Sequence, residues 1–429
     1  MTARDEALAL DAADPLAPLR ELFTVPEDVI YLDGNSLGAL PTATPVRVQE
    51  VVAREWGEGL IGSWNTAGWI TLPRRVGDKI ARLIGAGPGE VVVADSTSVN
   101  LYKVLSAALT IAAADAPDRH LVVSERDNFP TDLYIASSLC REHGYELVLV
   151  DSVHEIEPLL PRAAVLMLTQ VGYRTGRLLD MAALTEAAHD AGVLTVWDLC
   201  HSAGALPISL TEAGADYAVG CGYKFLNGGP GSPAYLWVSP RLVDRFEQPL
   251  SGWMGHASPF EMSPDYRPAK GVARYLSGTP SVIGIAALEC GVDTVLAAEA
   301  YGGPAALREK SLRLTRLFAE LIRERIPSRF VVESPEEDAE RGSQISLSWR
   351  HDSLTQPDPS YAIVQALIAR GVIGDFRAGG VTGNDIMRFG VTPLYTRYVD
   401  VWDAVDHLVA VVGSGEWRED RFWTRGAVT

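Results

Sequence analysis

Residues 220–238 read GCGYKFLNGGPGSPAYLWV, in which a short apolar run leads to Tyr223 and Lys224. A glycine-rich turn follows, and a second apolar run, AYLWV, begins after the turn. Short apolar runs bounded by turn residues are typical of buried β-strands. The stretch therefore predicts one strand that ends beside a lysine and a second strand after the turn.

Lys224 is one of five lysines in a chain that has 32 arginines. Arginine stays charged in proteins, whereas the lysine amine can lose its proton when it is desolvated and then acts as a nucleophile. A lysine at the end of an apolar strand is therefore a candidate for chemistry. The alternative is an ordinary surface lysine in a loop.

The same pattern extends through the first two thirds of the chain. Residues 1–30 are predicted to form a helical arm, residues 31–41 an extended piece that runs into turns, and residues 45–85 a set of broken helices. The strand candidates are 89–96, 120–125, 145–151, 163–170, 193–198, 217–221 and 234–239, and helical stretches such as 96–114 and 181–191 separate most of them. This alternation predicts an α/β fold with a mostly parallel, doubly wound sheet.

The pattern changes after about residue 285. Two long helix candidates, 282–300 and 304–325, precede a mixture of short strands and helices that ends with a helix over 398–413. This mixture predicts a smaller α+β domain at the C-terminus. We therefore expect three parts, which are an N-terminal arm (1–45), a large α/β domain (46–285) and a small α+β domain (286–429).

The composition limits the classes of partner. The chain has 429 residues and a net charge of −18, which argues against nucleic acid or an anionic membrane as the main partner. We expect no secretory leader, and no continuous apolar run is long enough to span a bilayer. The four cysteines have no ligand-like spacing, so neither a metal site nor a disulfide is predicted, and a reduced cytoplasm fits best.

Ligands of doubly wound sheets bind at the carboxyl ends of the strands. The polar residues that we predict at these ends are Ser96, Thr97, Asp127 to Asp132, Thr169, Asp198, His201, Tyr223 and Lys224. The motif DSTS (95–98) opens a predicted helix, whose free N–H groups and dipole favour an anion. The alternative for this motif is an ordinary helix cap.

The motif VLTVWDLCHSAG (193–204) places Asp198 at the end of an apolar strand, with His201 three residues later. A carboxylate in such a setting needs a cationic or hydrogen-bonding partner, such as a protonated heteroaromatic nitrogen. The alternative is a structural Asp–His pair or a helix cap. An aspartate, a lysine and an anion site at a helix end are together the contacts that pyridoxal phosphate requires, so the set predicts this cofactor.

Arg388 lies in the apolar motif IMRFGVTPLYT (386–396) of the predicted C-terminal domain. A partly buried guanidinium there suits the recognition of a carboxylate. The alternative is an internal salt bridge.

Eight motifs carry a resemblance to a known family. They are YLDGNSLGALP (31–41), GSWNTAGW (62–69), DNFPTDLY (127–134), DLCHSAGALP (198–207), GCGYKFLNGGPGSPAYLWVSP (220–240), QPLSGWMGH (248–256), GVARYLSGTP (271–280) and MRFGVTPLY (387–395). With these motifs, over nearly its whole length, the chain resembles the kynureninases, and bacterial members above all. The resemblance implies the type I fold of pyridoxal-phosphate-dependent transferases.

The resemblance also implies roles for single residues. Lys224 would bond the cofactor aldehyde, Asp198 would pair the pyridine nitrogen, and Tyr223 would act as an acid and base beside the phosphate. The further cofactor contacts implied are Ser96, Thr97, Phe129, Asp132, Thr169 and His201, with Trp253 and Thr279 coming from a second subunit. The substrate contacts implied are Ser36, Trp64, Gly278 and Arg388.

The activity implied by the resemblance is hydrolysis of L-kynurenine, and of 3-hydroxykynurenine in some members, to an anthranilate and L-alanine in tryptophan catabolism. A cytoplasmic homodimer with shared active sites is implied as well. An alternative is another type I pyridoxal-phosphate enzyme, an aminotransferase or a lyase, acting on a related aryl amino acid. A cysteine desulfurase is disfavoured because no cysteine follows Cys290, and a non-catalytic regulator is disfavoured because no basic DNA-binding segment is present.

Overall fold

The computed structural model describes residues 4–351, 357–379 and 383–426. The helices are α1 (Arg4–Ala12), α2 (Thr44–Glu50), α3 (Ser63–Thr66), α4 (Leu72–Ile84), α5 (Thr97–Asp115), α6 (Pro130–His143), α7 (Met181–Asp190), α8 (Val282–Leu296), α9 (Gly303–Arg325), α10 (Ser360–Ala369) and α11 (Tyr398–Ser414). The strands are β1 (Phe23–Thr24), β2 (Ile30–Tyr31), β3 (Leu40–Pro41), β4 (Val91–Ala94), β5 (Leu121–Glu125), β6 (Glu146–Val150), β7 (Ala163–Thr169), β8 (Leu194–Asp198), β9 (Tyr217–Gly220), β10 (Ala234–Val238), β11 (Phe330–Val332), β12 (Gln344–Trp349), β13 (Val372–Ile373), β14 (Asp375–Arg377) and β15 (Ile386–Gly390).

The chain forms two compact units. The sheet unit comprises Ala43–Gly172 and Leu179–Asp293, and the terminal unit comprises Met1–Thr42, Tyr173–Leu178 and Thr294–Thr429. This grouping differs from the predicted three parts, because the N-terminal segment belongs to the same unit as the C-terminal segment.

The sheet unit is built on seven strands in the order β4-β10-β9-β8-β7-β5-β6. Strands β5 to β9 pair in parallel, whereas β10 runs antiparallel to both of its neighbours, β4 and β9. All seven strands lie where the apolar runs predict them. The prediction of a mostly parallel α/β sheet is therefore confirmed, with β10 as the exception.

Helix α5 is the central helix of this unit. It begins after Ser96, whose hydroxyl accepts a hydrogen bond from the Val99 N–H, and it contacts strands β7 to β10. By length and hydropathy α5 is apolar enough to cross a membrane, but most of its residues are buried against the sheet, as in a core helix. Helix α4 approaches β4 so closely that a β-carbon on Gly77 would lie 2.2 Å from the Val91 carbonyl oxygen.

The terminal unit is built on the antiparallel sheet β11-β12-β15-β14, against which α9 and α10 pack. The N-terminal segment joins this unit through many contacts, including two that involve backbone groups. Strand β2 pairs in parallel with β13, and the Asp11 carboxylate accepts hydrogen bonds from the first N–H groups of α11. These long-range contacts explain why the predicted arm is part of the C-terminal unit.

Candidate active site

The carboxyl ends of β7, β8 and β9 bring the predicted residues of the sheet unit together. The register pairs Thr169 with Asp198 and Asp198 with Val219, and Lys224 follows four residues after the end of β9. Thr169, Asp198 and His201 are all buried. The clustering of these side chains at one edge of the sheet is the arrangement that the strand pattern predicts.

Lys224 is half-buried and lies in hydrogen-bonding distance of a histidine. Its Nζ is 2.8 Å from Nε2 of His201 and 5.8 Å from the centre of the Phe129 ring. This distance allows a hydrogen bond between the amine and the imidazole, and the tautomer of His201 decides which of the two groups donates. The position is therefore not that of a solvent-exposed loop lysine.

Asp198 and Asp132 form a pair of buried carboxyl groups beside this lysine. Asp198 Oδ1 accepts a hydrogen bond of 2.7 Å from the Cys200 N–H. Burial, and then the negative charge of Asp198, raises the pKa of Asp132 well above its ordinary value. Burial and the neighbouring charge therefore favour the protonated form of Asp132.

Two hydroxyl groups, those of Ser96 and Thr97, lie at the N-terminus of α5. Ser96 caps the helix, and Thr97 Oγ1 lies 3.7 Å from Cys200 Sγ, which connects the helix end with the loop after β8. Burial raises the pKa of the Tyr223 hydroxyl, which keeps this group protonated near neutral pH.

These groups match the chemistry of pyridoxal phosphate. An amine suits its aldehyde, a buried carboxylate suits its ring nitrogen, and a helix N-terminus with hydroxyls suits its phosphate. The Asp132 Oδ2 atom is buried and has no hydrogen-bond partner among the described residues, as expected of a group that awaits a ligand. The residues present therefore fit this cofactor.

Trp64 and Trp253 belong to one aromatic cluster of the sheet unit. Their ring centres lie 5.8 Å apart, and Trp64 also packs against Trp69 at 6.1 Å. Gly278 and Thr279 instead line a cavity of about 270 Å³ together with Asp95. Lys224 and Asp198 are not among the described residues that line this cavity.

Arg388 and Ser36 lie together in the terminal unit. The Arg388 guanidinium is 2% exposed and forms a two-point ion pair with the Asp375 carboxylate through Nε and Nη2. Its Nη2 also donates to Ser36 Oγ at 3.1 Å, and its Nη1 donates to the Tyr173 carbonyl at 2.5 Å. Four of the five N–H donors are thus engaged, so the salt-bridge alternative describes the contacts of Arg388 within this unit.

Two acidic groups of this cluster, Asp33 and Asp375, are not among the residues predicted from the sequence. Asp375 contacts both Arg388 and Arg377, and Asp33 lies near these three residues. Burial, and then the charge of Asp375, raises the pKa of Asp33 to about 7. The sequence signals for these two groups are the motif DGNSLG, which contains Asp33, and the short sequence GDFR, which contains Asp375. A carboxylate in an apolar run needs a cation, so a nearby arginine could have been expected.

The raised pKa of Asp33 predicts that stability falls as the pH rises. The folded chain binds this proton more tightly than the unfolded chain, so the free energy of unfolding decreases between about pH 4 and pH 7. Replacing Asp33 by Asn removes this loss, so we expect the variant to gain about 3 kcal/mol relative to the native protein when the pH is raised from 5 to 8. Urea unfolding at both pH values measures the difference.

Asp28→Asn is the matched control for this experiment, because Asp28 is an exposed carboxylate of the same N-terminal segment. The control should follow the native protein at both pH values. An Asp33→Asn curve that also runs parallel to the native curve would contradict the raised pKa.

Family comparisons agree with the motifs. The family model for the kynureninase C-terminal domain matches residues 307–408, and the model for aminotransferase class-V matches residues 31–356. A kynureninase from Pseudomonas fluorescens is 52% identical over 433 residues, and one from Burkholderia pseudomallei (strain 1106a) is 51% identical over 435 residues. Both alignments cover the whole of each chain.

Solved structures give the fold independently. A cysteine desulfurase from Thermococcus onnurineus NA1 superposes with a TM-score of 0.75 at 19% identity and covers 92% of this chain and 98% of its own. A cysteine desulfurase from Escherichia coli superposes with a TM-score of 0.75 at 20% identity, and the match covers 93% of this chain and 98% of the desulfurase chain. At this identity the likeness shows the shared fold, which is the predicted type I architecture.

Proposed function

The chain belongs to the kynureninase family, and from this premise we propose that it hydrolyses L-kynurenine to anthranilate and L-alanine. The chain is a hydrolase that depends on pyridoxal phosphate. The observation that carries the proposal is 51–52% identity to kynureninases over the full chain. An aminotransferase or a lyase of the same fold is not favoured.

We propose that the strand-end residues of the sheet unit hold the cofactor. Lys224 bonds the aldehyde, Asp198 accepts a hydrogen bond from the ring nitrogen, and Ser96 and Thr97 contact the phosphate. Phe129 stacks on the ring, and Asp132, Thr169 and His201 line the site. When bound, pyridoxal phosphate supplies the electron sink for cleavage of the carbon–carbon bond.

The chain's own groups would then move the protons. The Lys224 amine would take the proton from the substrate α-carbon, and the His201 ring nitrogen 2.8 Å away would orient the amine. The raised pKa of Tyr223 means that this group begins the reaction protonated, and as an acid it would donate only to an atom that becomes strongly basic during the reaction.

We further propose that Arg388 binds the substrate carboxylate. Its ion pair with Asp375 fixes the plane of the guanidinium, and one Nη1 hydrogen is left over from the four engaged donors to reach a ligand. Ser36 contacts the same guanidinium and would assist in binding, while Trp64 and Gly278 would contact the substrate's aryl group.

A cytoplasmic homodimer with shared active sites is part of the proposal. In this dimer Trp253 and Thr279 would complete the cofactor site of the second subunit. Large apolar side chains between residues 46 and 61 support an interface there, because Trp56 is 58% exposed and Ile61 is 81% exposed.

The activity is tested by adding L-kynurenine to the purified protein loaded with cofactor. Anthranilate and L-alanine should appear in equal amounts, and L-kynurenine should have a higher kcat/KM than its 3-hydroxy form. Loss of L-kynurenine without anthranilate, dependent on an added 2-oxo acid, would indicate transamination instead. A clear preference for 3-hydroxykynurenine would overturn the proposed substrate alone.

A further inference from the structure

Lys103 is a buried cation in the middle of α5 for which the proposed reaction gives no role. Its side chain is 0% exposed, and its Nζ donates to the Asp95 carboxylate at 2.6 Å and to the Tyr275 carbonyl at 2.6 Å. A lysine is rarely buried unless it is paired, since the desolvated charge is costly. The position therefore calls for a reason other than packing.

The partner of Lys103 has an unusual backbone conformation. Asp95 has a φ of +43°, in the left-handed region that side chains with a β-carbon rarely adopt. Neighbouring contacts support the same turn, because the Asp95 carbonyl accepts from the Ala234 N–H at 2.9 Å and the Asn100 amide donates to the Ala94 carbonyl at 2.8 Å. Strain of this kind persists where surrounding contacts hold it.

Asp95 immediately precedes Ser96 and Thr97, the two residues assigned to the cofactor phosphate. The direction in which the chain enters α5 depends on the Asp95 backbone, and so does the direction of the first N–H groups of the helix. The Asp95 carboxylate is also a negative charge one residue from the phosphate contacts, and Lys103 neutralises it.

We propose that Lys103 is a positioning residue whose ion pair with Asp95 holds and neutralises the turn that presents Ser96 and Thr97 to the cofactor phosphate. The inference rests on the proposed function, because it takes the phosphate contacts from that assignment. It adds a residue outside the site on which the strength of phosphate binding depends.

The test compares two aldehydes that differ in the phosphate. Pyridoxal phosphate and pyridoxal are titrated into the cofactor-free protein, and binding is followed by absorbance and protein fluorescence. In Lys103→Met we expect the Kd for pyridoxal phosphate to rise about tenfold, the size typical of a lost charge-assisted hydrogen bond. The Kd for pyridoxal should stay within about twofold of the native value, since it lacks the group that the turn contacts.

A second substitution tests the cause. Glycine adopts a positive φ without strain, so Asp95→Gly removes both the strain and the unpaired charge. The double variant Lys103→Met with Asp95→Gly should bind pyridoxal phosphate more tightly than Lys103→Met alone. If Lys103→Met does not fold, Asp95→Ala is compared with Asp95→Gly, and the alanine variant should bind pyridoxal phosphate more weakly because alanine keeps the strain.

Lys310→Met is the matched control. Lys310 is also a buried lysine, with an ion pair to Asp14 at 2.7 Å and a hydrogen bond to the Pro393 carbonyl at 2.7 Å, but it lies in the terminal unit. Its replacement should lower stability without changing the ratio of the two Kd values. Two results for Lys103→Met would overturn its role, namely an unchanged Kd for pyridoxal phosphate or an equal rise in the Kd for pyridoxal. A double variant that binds pyridoxal phosphate no more tightly than Lys103→Met alone would overturn it as well. Turnover of L-kynurenine by the native protein tests the proposed function separately.

Discussion

Replacement of Lys224 by alanine is expected to abolish both turnover of L-kynurenine and the visible absorbance of the bound cofactor. Lys224 is the amine at the end of β9 that lies beside His201 and Phe129. Alanine can neither bond an aldehyde nor carry the α-carbon proton, and a positioned proton-transfer group alone contributes about 10²–10⁴-fold to a rate. Absorbance spectra and anthranilate release by the same preparation measure the two effects.

Two further variants distinguish the loss of the reactive amine from the loss of a positive charge and from an effect on folding. Lys224→Arg retains the positive charge but has no amine that loses its proton, so it should be as inactive as the alanine variant. Lys270→Ala removes an exposed lysine of the same unit and should leave spectrum and rate unchanged. Normal turnover by Lys224→Ala would refute the assignment of this lysine and move the cofactor to another amine.

The sheet could be predicted because each strand corresponds to an apolar run in the local sequence. Runs such as 163–170 and 193–198 are mostly apolar, as is typical of buried parallel strands. The antiparallel direction of β10 was not predicted, although a signal existed. Parallel strands need a crossover of a dozen or more residues, usually a helix. The connection from β9 to β10 contains no described helix, and its glycines and prolines favour a return in the opposite direction.

In the candidate site, likewise, some residues could be located from the sequence and some contacts could not. Asp198, His201 and Lys224 could be located because each follows its own strand and parallel pairing aligns the strand ends. The contact of Asp375 with Arg388 depends on the pairing of β14 with β15, which no local pattern specifies. The ion pair of Lys103 with Asp95 was missed because a single lysine within an apolar helix gives no indication of its partner.

Replacement of Asp198 by asparagine is expected to lower kcat by roughly 10- to 100-fold, because a charge-assisted hydrogen bond of about 1.5–3 kcal/mol is lost when the ring nitrogen is charged. The amide keeps the size of the side chain, so folding should be retained. Asp132→Asn provides the contrast. Burial raises the pKa of Asp132 and so favours its protonated form, and an amide resembles a protonated carboxyl group in shape and in its ability to donate.

The two asparagine variants should therefore differ by at least about tenfold in kcat, with Asp198→Asn the slower, since only that substitution removes a charge. Steady-state rates at saturating L-kynurenine and the Kd for pyridoxal phosphate, measured for both variants, make the comparison. Equal losses would mean that the carboxyl pair acts as one unit. A greater loss of kcat in Asp132→Asn would assign the ring-nitrogen contact to Asp132 and not to Asp198, because the required negative charge would then be that of the Asp132 carboxylate.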